Sequence, residues 1–163
     1  MAFQFGKLSV LVVEDTPPMR KLLCSVLETL GVGQIYSSDN GESGYEQCRK
    51  MNPDIVIADW QMEPMNGIEL TKEIRTNQLS PNRMVPIILV TGYSAITRVA
   101  QARDAGVTEF IVKPFSANDL AKRLAYVINK PRDFIDSDGY FGPDRRRRQA
   151  PDYKGPFRRE DDK

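Results

Sequence analysis

Five positions carry the chemistry that this sequence offers: the adjacent acids Glu14 and Asp15, a single Asp59, Thr91 and Lys113. Each stands at or just past the end of a short apolar run, in "VLVVED", "PDIVIADW", "IILVT" and "FIVK". Three carboxylates brought together repel strongly unless a cation sits among them. A hard divalent cation fits best. Mg2+ takes one or two carboxylates and fills its remaining positions with carbonyls, waters and phosphate oxygens. Lys113 offers a point charge for a phosphate oxygen and Thr91 a hydroxyl donor. Such a set suits phosphoryl transfer to a carboxylate, a reaction that mainly needs an in-line nucleophile and neutralised charge. Asp59, with the acid pair on one side and Thr91 and Lys113 on the other, is the best-placed acceptor.

For these residues to meet, the apolar runs must lie side by side. The runs ending at Glu14-Asp15, Asp59, Thr91 and Lys113, with a weaker one at Gln34–Ser38, are continuous and β-branched rather than alternating. That predicts strands covered on both faces, and so a parallel sheet. Between them lie helical patterns. Met19, Leu22, Leu23, Val26, Leu27 and Leu30 form one stripe, with Thr16 as the expected N-cap, Pro17 and Pro18 at the start and Gly31 just past the end. Further helices are expected over Gly44–Met51, Ile68–Arg75, Ser94–Ala105 and Ser116–Ile128, the last capped by Ser116. Five β-α units with right-handed crossovers give an α/β, doubly wound, five-stranded sheet. Ligands of such sheets gather at the carboxyl ends of the strands, where strand order reverses.

Composition bounds the alternatives. The 163 residues are 40% hydrophobic and 28% charged, with a formal net charge of +1. That supports one cored domain plus an extension, and global charge implies no nucleic-acid or membrane partner. Cys24 and Cys48 show no C-x-x-C pairing and histidine is absent, so a zinc site is not expected. Both read as thiols buried on helices. No apolar run approaches a membrane span, and "MAFQFGK" has no signal-peptide pattern.

The motifs "VLVVED", "PDIVIADWQMEPMNG", "PIILVTGYS" and "FIVKPF", in this order over roughly residues 7 to 130, resemble the CheY-like receiver domain of bacterial response regulators. This family is a standard instance of the strand order 2-1-3-4-5. The resemblance implies that Asp59 accepts the phosphoryl group. Glu14 and Asp15 hold Mg2+, directly or through water, with Asp59 and the backbone carbonyl of Gln61. Thr91 and Lys113 contact phosphoryl oxygens, and Phe110 is an aromatic switch following Thr91. Read alone, Phe110 is also compatible with a plain core or interface aromatic. The resemblance further implies a cytoplasmic phosphoacceptor with at most autophosphatase activity, supplied by a histidine kinase or phosphotransfer protein. Output would pass to a partner on the surface formed by Ser94–Ala105, Glu109–Val112 and Ser116–Ile128. The sequence departs from the family's usual pattern in its Glu-Asp pair and in Pro64, which stands one place late.

Residues 1–130 therefore read as the receiver and 131–163 as an arginine-rich extension. A segment this short cannot form a helix-turn-helix domain with its own core, so a stand-alone receiver is expected. The extension first carries Asp133, Asp136, Asp138 and Asp144, then Arg145, Arg146, Arg147 and Arg148, with Tyr140, Phe141, Tyr153 and Phe157 interleaved. Charge runs are commonly solvated. Guanidinium forks also grip phosphate in pairs and stack on purines, which fits a purine dinucleotide or a nucleic-acid backbone. The extension is similar to that of a subgroup of CheY-like proteins that bind cyclic di-GMP and dock to the flagellar motor, affecting motility and attachment. That likeness implies ligand contacts at Arg145 to Arg148, with Tyr140, Phe141 and Tyr153. A passive tail on a phosphorelay or chemotaxis receiver, or a nucleic-acid grip, are the alternatives.

Overall fold

The computed structural model describes residues 5–92, 96–131, 133–137 and 140–144, the side chains of 96–99 and 137 excepted. Five strands alternate with five helices: β1 (Ser9–Val13), α1 (Pro17–Thr29), β2 (Gln34–Ser38), α2 (Gly41–Met51), β3 (Ile55–Asp59), α3 (Gly67–Thr76), β4 (Ile87–Thr91), α4 (Ile96–Ala105), β5 (Glu109–Val112) and α5 (Ala117–Asn129). The strands pair in parallel in the order β2-β1-β3-β4-β5. The expected doubly wound sheet is thus present. Two further strands, β6 (Phe134–Ser137) and β7 (Tyr140–Pro143), pair antiparallel within the segment read from sequence as the start of the extension.

The period-2 geometry of strands sorts their apolar residues onto two faces. Val10, Val12, Ile55, Ile57, Ile88 and Val90 meet Leu23 and Leu27 of α1 and Leu120, Leu124 and Val127 of α5. Leu11, Val13, Val56, Ala58, Ile87 and Leu89 meet Tyr45 and Cys48 of α2, Ile68, Leu70 and Ile74 of α3, and Ala102 and Ala105 of α4. Every residue of β3 and β4 is buried, which accounts for their unbroken apolar runs.

Helix boundaries follow their caps. Thr16 occupies the N-cap of α1 in an extended conformation, but its side chain makes no cap bond. Its hydroxyl instead donates to Asp15 Oδ1 at 3.4 Å, drawn to the neighbouring carboxylate. α2 begins at Gly41, earlier than the expected Gly44, because the Asn40 side chain accepts from the Ser43 N–H at 2.8 Å. Asn66 and Glu69 form a reciprocal capping box on α3, and Ser116 and Asp119 form one on α5. The expected start of the fourth helix at Ser94 lies outside the described residues. Cys48 is buried as expected, whereas Cys24 is only half-buried.

One packing contact bears directly on the carboxyl end of β3. Gly67, the first residue of α3, lies against the carbonyl of Asp59, so that a Cβ at this position would collide with that carbonyl and with Leu89 Cδ1. Its N–H donates to the Trp60 carbonyl at 2.9 Å. Replacing Gly67 by Ala must push α3 away from the end of β3. We expect the Gly67→Ala protein to lose about 2 kcal/mol of stability, read as a lower urea midpoint with an unchanged slope.

Candidate functional site

The strand order brings the sequence-distant acids together. β1 lies between β2 and β3, so chain connections leave β1 and β3 toward opposite faces, and a crevice opens between their carboxyl ends. Glu14 and Asp15 follow β1, and Asp59 closes β3. One carboxylate oxygen from each of the three lies within 4.8 Å of the others. Thr91, the last residue of β4, and Lys113, just past β5, complete the edge. The Lys113 N–H donates to the Thr91 carbonyl at 2.8 Å, which continues the ladder past the formal strand end and ties the lysine to this edge. From there Nζ reaches Asp59 Oδ1 at 3.0 Å and Glu14 Oε1 at 3.9 Å.

The adjacent acids, equivalent in the sequence reading, are not equivalent in the fold. Glu14 is fully buried, and Asp15 is exposed. The Glu14 backbone is held by Arg20, whose Nη1 donates to its carbonyl at 2.8 Å, and the Thr16 N–H donates to Oε2 at 3.3 Å. Its other oxygen, Oε1, is buried without a hydrogen-bond donor. Burial and then the charge of Asp59 push the Glu14 carboxyl up to about 7, with the Asp15 hydrogen bond adding to the rise. The Thr16 N–H and Lys113 oppose that rise. A buried acid oxygen lacking a donor, beside a second buried carboxylate and an exposed third, is what an oxygen-seeking divalent cation would satisfy. The donor set therefore fits Mg2+.

Access to the acids is from the loop after β3. Asp15, Trp60, Gln61, Met62, Glu63 and Asn66 line an open depression beside them. Trp60 is buried, its backbone N–H donating to the Val90 carbonyl at 2.9 Å, while Gln61 is exposed. Thr91 is 3% exposed, and Gly92 after it adds no side chain over the crevice. Phe110 is half-buried and packs on the α2–α3–α4 side of the sheet.

The other expected contacts are elsewhere. Tyr140 and Phe141 are in β7, and Arg145, Arg146, Arg147, Arg148 and Tyr153 lie outside the described residues. β7 contacts α3 and α4 at the end of the sheet where β4 and β5 begin, opposite the acids. Trp60 and Asn66 were not singled out from the sequence as part of the site. For Asn66 a signal was present, since Asn66 followed by Glu69 is a capping-box pattern immediately after the acidic loop.

The state of Glu14 makes the apo protein sensitive to pH. Its folded value is raised above that of an unfolded carboxyl, so its contribution to stability is complete below about pH 4.5 and is lost as pH rises toward 7. Cation binding reverses the preference, because the metal needs the carboxylate. Mg2+ affinity, followed through the fluorescence of Trp60, the chain's single tryptophan, should increase from pH 6 to pH 8. Glu14→Gln should flatten that dependence.

No helix among the described residues is long and apolar enough to cross a membrane. The sequence matches the response regulator receiver domain over residues 10–125. Chemotaxis protein CheY1 of Helicobacter pylori is 32% identical over 122 residues, covering 74% of this chain and 97% of its own length. The solved structure of Vibrio cholerae chemotaxis protein CheY4 has 26% identity and a TM-score of 0.68, covering 74% of this chain and 98% of its own. The receiver domain of a Pseudomonas aeruginosa sensor histidine kinase, 24% identical with a TM-score of 0.68, covers 76% and 98% and shares the fold. That structure has a magnesium ion coordinated in its active site cleft. Sequence, strand order and the acidic crevice agree, and the chain belongs to the response regulator receiver domain family.

Proposed function

We propose that this chain is a cytoplasmic response regulator switched by phosphorylation of Asp59. The carrying observation is the Lys113 ammonium 3.0 Å from Asp59 Oδ1, with the carboxylates of Glu14 and Asp15 alongside. In the proposed step a carboxylate oxygen of Asp59 attacks phosphorus in line. The new bond is an acyl phosphate, and the bond to the donor's imidazole nitrogen breaks as that nitrogen takes up a proton. The donor is a histidine kinase or phosphotransfer protein. Glu14, Asp15, Asp59 and the Gln61 carbonyl would hold Mg2+, which supplies charge neutralisation for the phosphoryl oxygens. Lys113 gives up its pairing with Asp59 to meet one of those oxygens, and the Thr91 hydroxyl donates to another. Movement of Thr91 then sets the rotamer of Phe110. Output passes through the α4–β5–α5 face. Relatives of this chain are named as chemotaxis proteins, which supports a chemotaxis or motility output such as the flagellar motor.

With a small acyl-phosphate donor and Mg2+, Asp59→Asn should reduce covalent labelling by about a hundredfold or more, seen by intact-mass measurement. Persistent Mg2+-dependent labelling of that variant would remove Asp59 from its role.

For the extension, the reading is an arginine clamp for cyclic di-GMP centred on Arg145 to Arg148, with Tyr153. What supports it is guanidinium chemistry and the root of the segment: the Asp144 N–H is tied to the Asp133 carbonyl at 2.6 Å, immediately before the arginines. Tyr140 and Phe141 would flank the clamp. Calorimetry of the full chain should give micromolar binding of cyclic di-GMP that is lost on changing Arg146 and Arg147 to Ala. Absence of binding at tens of micromolar would leave a passive tail, and salt-steep binding of nucleic acid would point to a backbone grip.

A further inference from the structure

At the end of the sheet remote from Asp59, a guanidinium is held in the protein interior. Arg75, in the last turn of α3, is 1% exposed. Its Nε donates to the Gly106 carbonyl at 3.0 Å. Nη1 donates to the carbonyls of Arg83 and Val85 at 2.8 and 2.6 Å, and Nη2 to Thr108 Oγ1 at 3.3 Å. All four acceptors are neutral, and among the described residues no carboxylate forms an ion pair with it. A buried charge without a counter-ion is tolerated only when its donors are satisfied and its remaining surface is covered.

The cover comes from the β6–β7 pair. The Phe134 ring lies 4.9 Å from Arg75 Cζ. Arg83 repeats the arrangement one layer out. Its Nε donates to the Arg75 carbonyl at 2.6 Å, and its Cζ stands 4.2 Å from the Phe141 ring. The two rings pack together at 5.6 Å, tilted by 48°. The Tyr140 hydroxyl donates to the Pro143 carbonyl at 2.7 Å, and Gly142 lies so near Gly106 that a Cβ would crowd its Cα. Gly106 has φ of +105°, so the turn joining α4 to β5 needs glycine at the point where the hairpin touches it.

These contacts are outside the family pattern, since the matched domain ends at residue 125. We propose that β6 and β7 form an intramolecular latch, seated on Arg75 and Arg83, that completes the burial of Arg75 and fastens the extension to the corner between α3 and α4. The seat includes the junction of α4 and β5. Both elements run from this corner to the edge that carries Thr91 and Lys113, so displacement of α4 bears directly on the latch. Asp144, the last described residue, is then a fixed root at the end of the sheet remote from the acids. This inference stands independently of the phosphorylation reading.

Full-length protein carrying Phe134→Ala with Phe141→Ala tests the latch by amide hydrogen exchange and NMR. In the unaltered chain the ladder amides of β6 and β7 should be protected. In the double variant that protection should fall at least tenfold, and the amide resonances of Val85, Gly106 and Thr108 should shift. The thermal midpoint should fall by roughly 5 to 10 °C. Arg83→Gln, which leaves both rings in place, should give the same changes to a smaller degree. Unprotected β6–β7 amides in the unaltered chain would overturn the latch. So would a double variant with the hairpin still protected and the Val85, Gly106 and Thr108 resonances unmoved.

Discussion

Two carboxylates, Glu14 and Asp59, are buried within reach of one ammonium among the described residues, that of Lys113, and the charge imbalance this creates governs the carboxyl edge of the sheet. The sheet order forces the two acids together, because β1 and β3 are neighbours and both end there. Lys113 sides with Asp59 and only distantly with Glu14, whose burial, with the charge of Asp59, makes it hold its proton more tightly. A site in this condition is poised for positive charge. A cation entering beside Asp15 would relieve the repulsion and free the lysine, and the same lysine would then be available for an incoming anion. Binding of metal and of phosphoryl oxygens would be linked through one side chain.

The five-stranded frame, and the gathering of Glu14, Asp15, Asp59, Thr91 and Lys113 at one edge of it, were legible because both are written locally. The fully buried strands β3 and β4 show unbroken apolar runs, and each informative residue sits where a run stops. The division of labour between Glu14 and Asp15 was not legible. Both reach Asp59, but Glu14 is buried and Asp15 exposed, a difference set by tertiary packing that two adjacent acids do not show in sequence. The start of α2 was missed for a smaller reason, since the Asn40 cap outweighs the poor helix propensity of Gly41.

Arg75 was the harder case. In sequence it sits one place past the apolar stripe of α3 and reads as an ordinary charged residue in a last turn, where the helix dipole favours it. Its burial depends on carbonyls contributed by two separate loops and on a ring far away in sequence. Local patterning carries no trace of such a contact. The hairpin itself had a visible signal. Asp138-Gly139 between two four-residue segments is a favoured hairpin dipeptide, yet it is easily passed over in a stretch rich in Pro, Gly and charge.

The neutral acceptors around Arg75 also set an order of events during synthesis. Phe134 follows Arg75 by roughly 60 residues, so at about 5–20 residues per second it leaves the ribosome several seconds later. Val85, Gly106 and Thr108, which accept from Arg75, are made between the two, so the guanidinium's acceptors precede its aromatic cover in the chain. Every residue of the seat is therefore synthesised before the ring that covers it. The last part of the described chain to be made covers a charge whose hydrogen-bond acceptors all come earlier in the chain.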